Sequence, residues 1–202
     1  MTNGLFPNNI LAGAIAVYEN VLDNYRENIE TINLLSSDDS SEIKFYDSTT
    51  IENQSSNNSV QSPVRTSSQL HITSDFNSDK LTELDNLYTK IVFTRLGSYK
   101  EKFGIGEDLY NPENFQLLKY EVGQYFYSHY DSYPAVNRSI SVLIYLNDDY
   151  EGGEIEFVNF DIKIKPKAGT LIMFPSNYPY RHIAHPVISG TKYAVSTFLH
   201  ER

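Results

Sequence analysis

Apolar residues recur along this chain in two rhythms, and the change from one to the other falls near residue 115. Over residues 79–96, Leu81, Leu84, Leu87, Tyr88 and Ile91 follow three- and four-residue steps, which puts them on one face of an α-helix with Asn77 or Ser78 as its cap. Residues 23–35 repeat that spacing through Tyr25, Ile29, Ile32 and Leu35, with Asp23 or Asn24 at the start. Both helices are read as scaffold. A short strand running into a turn is expected at 15–22, and another strand at the end of 63–73. His71, in that second segment, has no carboxylate at ligand spacing and is read as a structural or surface histidine. Residues 104–114 read as a turn-rich connection.

Beyond this point the pattern becomes that of strands and tight turns. Residues 115–121, 125–130, 140–146, 154–160, 161–165, 170–174 and 192–200 each read as a strand, punctuated by Gly152-Gly153, Asn159, Ser189-Gly190 and the Pro- and Gly-containing stretches 166–169 and 175–177. Strands at this spacing predict a mostly β protein: a closed or two-sheet antiparallel barrel with the earlier helices packed outside. Segment 36–62 fits neither rhythm. Rich in Ser, Asn, Asp, Gln and Thr, it buries too little apolar surface to offset its ordering entropy, and is either a passive flexible loop or a lid that orders over a substrate.

Composition narrows the function. With 202 residues, 40% of them hydrophobic, the chain suits one domain with a real core, residues 1–114 supporting a β core at 115–202. Its 16 Tyr and 11 Phe favour pleated surfaces. A net charge of −10 repels phosphate backbones, so nucleic acid is not an expected partner. With no cysteine, any metal must be held by His, Asp or Glu. The apolar run 10–17 is too short to span a membrane and nothing basic precedes it, so a soluble cytoplasmic protein without membrane contact is expected.

Within the strand-rich half, His129 and Asp131 project from the same face of an extended segment and can offer an imidazole nitrogen and a carboxylate oxygen to one point. A further histidine would complete the two-histidine, one-carboxylate arrangement that favours non-haem Fe(II), and His182, His185 and His200 are the candidates. In the last strand, alternation places Lys192, Ala194, Ser196, Phe198 and His200 on one face and Tyr193, Val195, Thr197 and Leu199 on the other. The second set is a core face. The first suits a pocket wall, with Lys192 either a solvated edge charge or a cation for an anionic cosubstrate.

Several ordered motifs carry a family resemblance. Tyr120-x-x-Gly123-x-x-Phe126-x-x-His129-x-Asp131 is followed by Tyr145-Leu146-Asn147, Glu151-Gly152-Gly153-Glu154, Gly169-Thr170-Leu171 and Arg181-His182-x-x-x-Pro186-Val187-x-x-Gly190-x-Lys192. Together they resemble the Fe(II)- and 2-oxoglutarate-dependent prolyl 4-hydroxylases, as does Val64 with the Arg-Thr-Ser-Ser that follows it. The resemblance implies a double-stranded β-helix, a jelly-roll of the cupin kind. It also implies His129, Asp131 and His182 as iron ligands, Lys192 as partner of the distal 2-oxoglutarate carboxylate, and Tyr120 and Tyr145 as cosubstrate-pocket walls. Arg138, Phe198 and His200 match peptide-proline contacts, Phe198 standing where relatives commonly carry Trp. His185 departs from the small or sulfur-containing residue of many relatives, as a group supporting the ligands or an alternative ligand.

The implied reaction is hydroxylation of peptidyl proline with Fe(II), 2-oxoglutarate and O2, ascorbate being a candidate reductant and a proline-containing peptide or protein the partner. The same chemistry on a free amino acid or another side chain, and an inactive barrel serving as a binding module, are the alternatives.

Overall fold

The structure is a computed structural model that describes residues 7–38, 42–48, 64–73, 76–106, 109–132 and 137–201. In order the chain forms β1 (Asn9–Ile10), β2 (Ala16–Tyr18), α1 (Tyr25–Ser37), β3 (Tyr46–Asp47), β4 (Ser68–Ile72), α2 (Asp79–Phe103), β5 (Leu109–Pro112) and β6 (Phe115–Tyr120). Then follow β7 (Phe126–His129), β8 (Arg138–Tyr145), β9 (Glu151–Gly152), β10 (Ile155–Phe157), β11 (Ile162–Ile164), β12 (Leu171–Pro175), β13 (His182–Ala184), β14 (Val187–Ser189) and β15 (Lys192–Glu201). Strands β1, β2, β12, β8, β15, β6, β4 and β3 lie side by side in that order, and β5 adds to the end of β15 to make nine. A four-stranded sheet, β11, β10, β13 and β7, faces them, and β14 pairs with β9. The fold is a double-stranded β-helix.

Alternation decides what each strand of the large sheet offers. Leu70 and Ile72 of β4, Phe115 and Leu117 of β6, Ile140, Val142 and Ile144 of β8, and Val195 and Leu199 of β15 point to one side and join a core with the helices. That core is completed by Ile32 of α1 and by Leu81, Leu84, Tyr88, Ile91, Val92, Leu96 and Tyr99 of α2. Each such side chain contributes roughly 1.5–3 kcal/mol by leaving water. The intervening residues of the same strands face the small sheet and line a cavity.

Several expectations need correction. Helix α2 runs to Phe103, because Leu96, Tyr99 and Phe103 continue its apolar stripe, and it stops at Gly104 in a left-handed cap (φ 64°) whose N–H bonds to the Lys100 carbonyl. Its N-cap is Ser78, which accepts from the Leu81 N–H. Asn24 occupies the N-cap of α1 but makes no side-chain capping bond. The turn-rich 104–114 contains β5, a strand whose partner among the described residues is the distant β15, so that it leaves no local signature. The strand expected over 154–160 ends at Phe157, where a 3₁₀ turn over Val158–Phe160 leads to Asp161 at φ 54°. Strands β9, β13 and β14 are too short for a periodic signal. In the polar segment 36–62, residues 36–37 close α1 and Tyr46–Asp47 pair with β4, whereas 49–62 lie outside the described residues and with them the question of a lid.

Gly152 has a positive φ (69°), and a Cβ there would strike the Pro186 carbonyl and the Ile188 side chain. Gly152→Ala is expected to lower unfolding stability by about 2–4 kcal/mol in urea denaturation, the sum of left-handed strain and a backbone clash.

Candidate active site

The register of β7 against β13 sets His129 directly opposite His182, and their rings lie 4.2 Å apart between centroids. Asp131 follows two residues after His129, its N–H held by the Ser176 carbonyl at 3.0 Å. His129 Nε2 is 3.5 Å from Asp131 Oδ1 and His182 Nε2 is 3.8 Å from Oδ2. One ligand atom from each residue lies within 4.8 Å of the others, the only such group of three among the described residues.

Each imidazole is turned the same way. His129 Nδ1 bonds to the Tyr127 carbonyl at 2.7 Å and His182 Nδ1 to the Tyr180 carbonyl at 3.1 Å. A carbonyl can only accept, so Nδ1 carries the hydrogen and Nε2 is left for a metal. Burial, assisted by His129, lowers His182 to about 4, the neutral form a ligand needs. Burial alone raises the Asp131 carboxyl, but the His182 and His129 imidazoles and the Ser141 hydroxyl outweigh it and hold Asp131 well below the usual carboxylate range. Ser141 Oγ donates to Asp131 Oδ2 at 2.6 Å and meets Ser176 Oγ at 2.8 Å. The donor set, its tautomers and its charge fit a divalent cation with open coordination positions.

A single cavity of about 470 Å³ joins this triad to the inner face of the large sheet. At one end Lys192, only 2% exposed, sits in a central strand and not at a solvated edge. Its Nζ donates to the Gly153 carbonyl at 2.7 Å and lies 5.1 and 5.3 Å from the Tyr120 and Tyr145 ring centres. Burial first, and then the charge of Lys165, bring Lys192 down to about 7 against the opposing pull of Glu154. A buried ammonium bonded to no carboxylate among the described residues is a receptor for an anion. Lys165, not anticipated from the sequence, holds the turn behind it by donating to the Tyr150 and Gly152 carbonyls.

At another wall, Arg138 stacks on Phe198 with its guanidinium carbon 3.6 Å from the ring centre. Glu113 holds Arg138 through two 2.7 Å bonds and also meets His200 Nε2 at 2.8 Å. Glu113 was not anticipated, because it precedes β6 by two residues and meets Arg138 and His200 only once β5, β8 and β15 align. Arg138 and Phe198 line the cavity; His200, past a register shift in β15, turns to Glu113 and the Asn137 carbonyl.

Two histidines depart from expectation. His185 belongs to neither the metal triad nor its hydrogen bonds: it pairs with Glu156 at 2.7 Å on the side of the small sheet away from the cavity lining, where Lys163 joins the same carboxylate at 3.3 Å. His71 is a cavity wall, together with Gln69, Gln116 and Arg65. Alternation could have found Gln116, which shares a face with Tyr120, whereas Gln69 and His71 reach the cavity through the docking of β4 beside β6, which sets His71 opposite Gln116.

Fold and triad together define a barrel with a candidate site for one metal ion held by two histidines and a carboxylate. Residues 115–200 match the family profile of the 2OG-Fe(II) oxygenase superfamily. The chain is 34% identical over 112 residues to a putative prolyl 4-hydroxylase of Acanthamoeba polyphaga mimivirus, covering 46% of this chain and 46% of that protein. It is 31% identical over 115 residues to the prolyl 4-hydroxylase subunit alpha-1 of Gallus gallus, covering 48% of this chain and 22% of that protein. The chain thus spans less than half the length of these relatives. Among solved structures it is similar to the viral collagen prolyl hydroxylase of Paramecium Bursaria Chlorella virus-1 in a 2OG complex, with a TM-score of 0.66 at 23% identity over 95% of this chain and 97% of that one. It is also similar to a Trichoplax adhaerens prolyl hydroxylase in complex with a hypoxia inducible factor peptide fragment, with a TM-score of 0.73 at 19% identity over 94% and 84%.

Ser141→Ala removes a hydrogen bond to the Asp131 carboxylate and leaves all three candidate ligand residues in place. Anaerobic Fe(II) titration by calorimetry is expected to show roughly tenfold weaker binding, the lower end of what supporting hydrogen bonds contribute to metal sites.

Proposed function

We propose that this protein is a prolyl 4-hydroxylase that uses Fe(II), 2-oxoglutarate and O2 to hydroxylate proline within a peptide. One observation carries the proposal: the His129–Asp131–His182 triad and the buried Lys192 cation open into the same cavity. His129, Asp131 and His182 would hold the metal. When bound there, Fe(II) with 2-oxoglutarate supplies the oxidation, in which O2 gives one oxygen to a substrate C–H bond and one to succinate as CO2 leaves. Lys192 fixes the far carboxylate of the cosubstrate, with Tyr120 and Tyr145 excluding water around it. Arg138, held flat against Phe198 by Glu113, forms a rigid wall for the peptide. The names of the relatives support proline as the target, and Phe198 and the Arg138 plane offer a flat surface for its ring.

The test is mass spectrometry on a panel of proline-containing peptides with iron-loaded protein. A gain of one oxygen on proline, with succinate formed in equal amount, is expected. An enzyme that turns over 2-oxoglutarate yet oxidises no peptide in the panel overturns proline as the substrate.

Lys192 also makes a pH prediction. Its ammonium form binds the carboxylate, and in the free protein that form is lost as pH rises through about 7. Binding therefore takes up a proton above pH 7, and 2-oxoglutarate affinity measured anaerobically by calorimetry is expected to fall from pH 7 to pH 9, by up to about tenfold per unit. Lys192→Met is expected to bind more weakly and to lose this slope.

A further inference from the structure

Among the described residues the cavity is lined by three Lys and Arg side chains, Arg65, Arg138 and Lys192, and by one carboxylate, that of Asp131, which belongs to the triad. Glu113 neutralises Arg138, and Lys192 is taken by the cosubstrate in the function proposed above. Arg65 is left over. Its Nε donates to Ser67 Oγ at 3.1 Å, and that hydroxyl, fully buried, donates in turn to Ser48 Oγ at 2.9 Å. Its guanidinium carbon lies 4.8 Å from the centre of the Phe126 ring, and Phe126 stacks on the candidate ligand His129 with centroids 3.5 Å apart. The main chain fixes the same arrangement: Arg65 is bridged to Phe126, and the Tyr127 N–H donates to the Val64 carbonyl at 2.8 Å. No carboxylate is bonded to Arg65 among the described residues.

A guanidinium stacked on an aromatic face keeps its in-plane N–H groups available. The two Nη groups of Arg65 are therefore held side by side at the cavity wall with no acceptor among the described residues, and a carboxylate is the acceptor whose two oxygens match them. We infer that Arg65 takes a carboxylate of the peptide substrate, carried by an Asp or Glu side chain or by the peptide's own C-terminus, within about two residues of the target proline. The span follows from the column of Arg65, Phe126 and His129: two stacking steps separate the guanidinium from the candidate ligand, roughly one to two residue spacings of an extended peptide. Ser67 and Phe126 fix the side chain before a substrate arrives, so little rotamer freedom is lost on binding. The net charge of −10 does not oppose this, because exposed charges beyond a Debye length, about 8 Å at physiological ionic strength, are largely screened while the Arg65 contact is direct. The inference rests on peptidyl proline being the substrate and deepens that reading by making Arg65 a specificity-determining residue.

The experiment scans a proline peptide that the protein hydroxylates. At each neighbouring position on either side of the target proline, Asp or Glu is compared with Asn or Gln, and in peptides that end just after the proline a free C-terminus is compared with its amide. With wild-type protein the acid is expected to exceed the amide about tenfold in kcat/KM, chiefly through KM, either at one side-chain position or at the terminus, which tells the two sources apart. Arg65→Gln is expected to treat acid and amide alike, and Arg65→Lys, which keeps the charge without the planar fork, to retain the preference in weaker form. An Arg65 that only holds Ser67 and Phe126 in place would lower activity on both peptides by one factor and leave the preference intact. That result overturns the inference, as does wild-type indifference at every position and at the terminus. Should Arg65→Gln fail to fold, the scan in wild-type and Arg65→Lys protein decides, and a preference that Arg65→Lys leaves undiminished overturns the inference. A hydroxylated peptide series without acid preference overturns this inference alone; if no proline peptide gains oxygen at all, the proline reading fails and this inference fails with it.

Discussion

The antiparallel register between β7 and β13 is the constraint on which the site depends. A one-residue slip would turn His129 or His182 to the opposite face of the small sheet, because side chains alternate with a period of two. The register is held from both sides. His129 and His182 are each tied through Nδ1 to a main-chain carbonyl two residues earlier, so backbone position sets ring position. Phe126 stacks on His129 with centroids 3.5 Å apart, and Phe157 and Phe174 pack around His182. Asp131 escapes the ladder but is fixed by Ser176 and Ser141, which come from the opposing large sheet and the end of β12. The triad is therefore a joint between the two sheets.

The large sheet does two jobs with one periodicity. Its outward residues join the helices in an apolar core, and its inward residues form a wall graded from Lys192 and the tyrosines to Gln69 and His71 on one side and Phe198 and Arg138 on the other. Burying the Lys192 ammonium with the Gly153 carbonyl but no carboxylate bonded to it among the described residues has an energetic cost, which the stability contributed by the helix-facing core can carry. The helices thus matter to function although neither supplies a cavity-lining residue among those described.

Much of this was legible along the chain. The stripe through Leu81, Leu84, Tyr88 and Ile91, the alternation in the last strand and the motif order from Tyr120 to Lys192 each state a local fact about which side of an element a residue occupies, and local sterics enforce that fact without help from distant residues. By alternation alone Lys192 and Phe198 had to share a face. The choice of His182 over His185 and His200 needed the resemblance, since spacing left all three open.

What only the tertiary structure decided are the pairings that join residues far apart in sequence. Glu113 meets Arg138 and His200 because β5 closes onto the end of β15, and Gln69 reaches the cavity because β4 docks beside β6. Ser141 finds Asp131 across the barrel. The amino-acid sequence by itself determined which residues face inward wherever a strand runs without a register shift, because that is a property of each strand; His200 lies past such a shift and left the cavity wall. Which inward residues meet, and whether a buried cation or an unpaired amide is left between them, depended on strand order and register, which arise from closing the whole sheet at once.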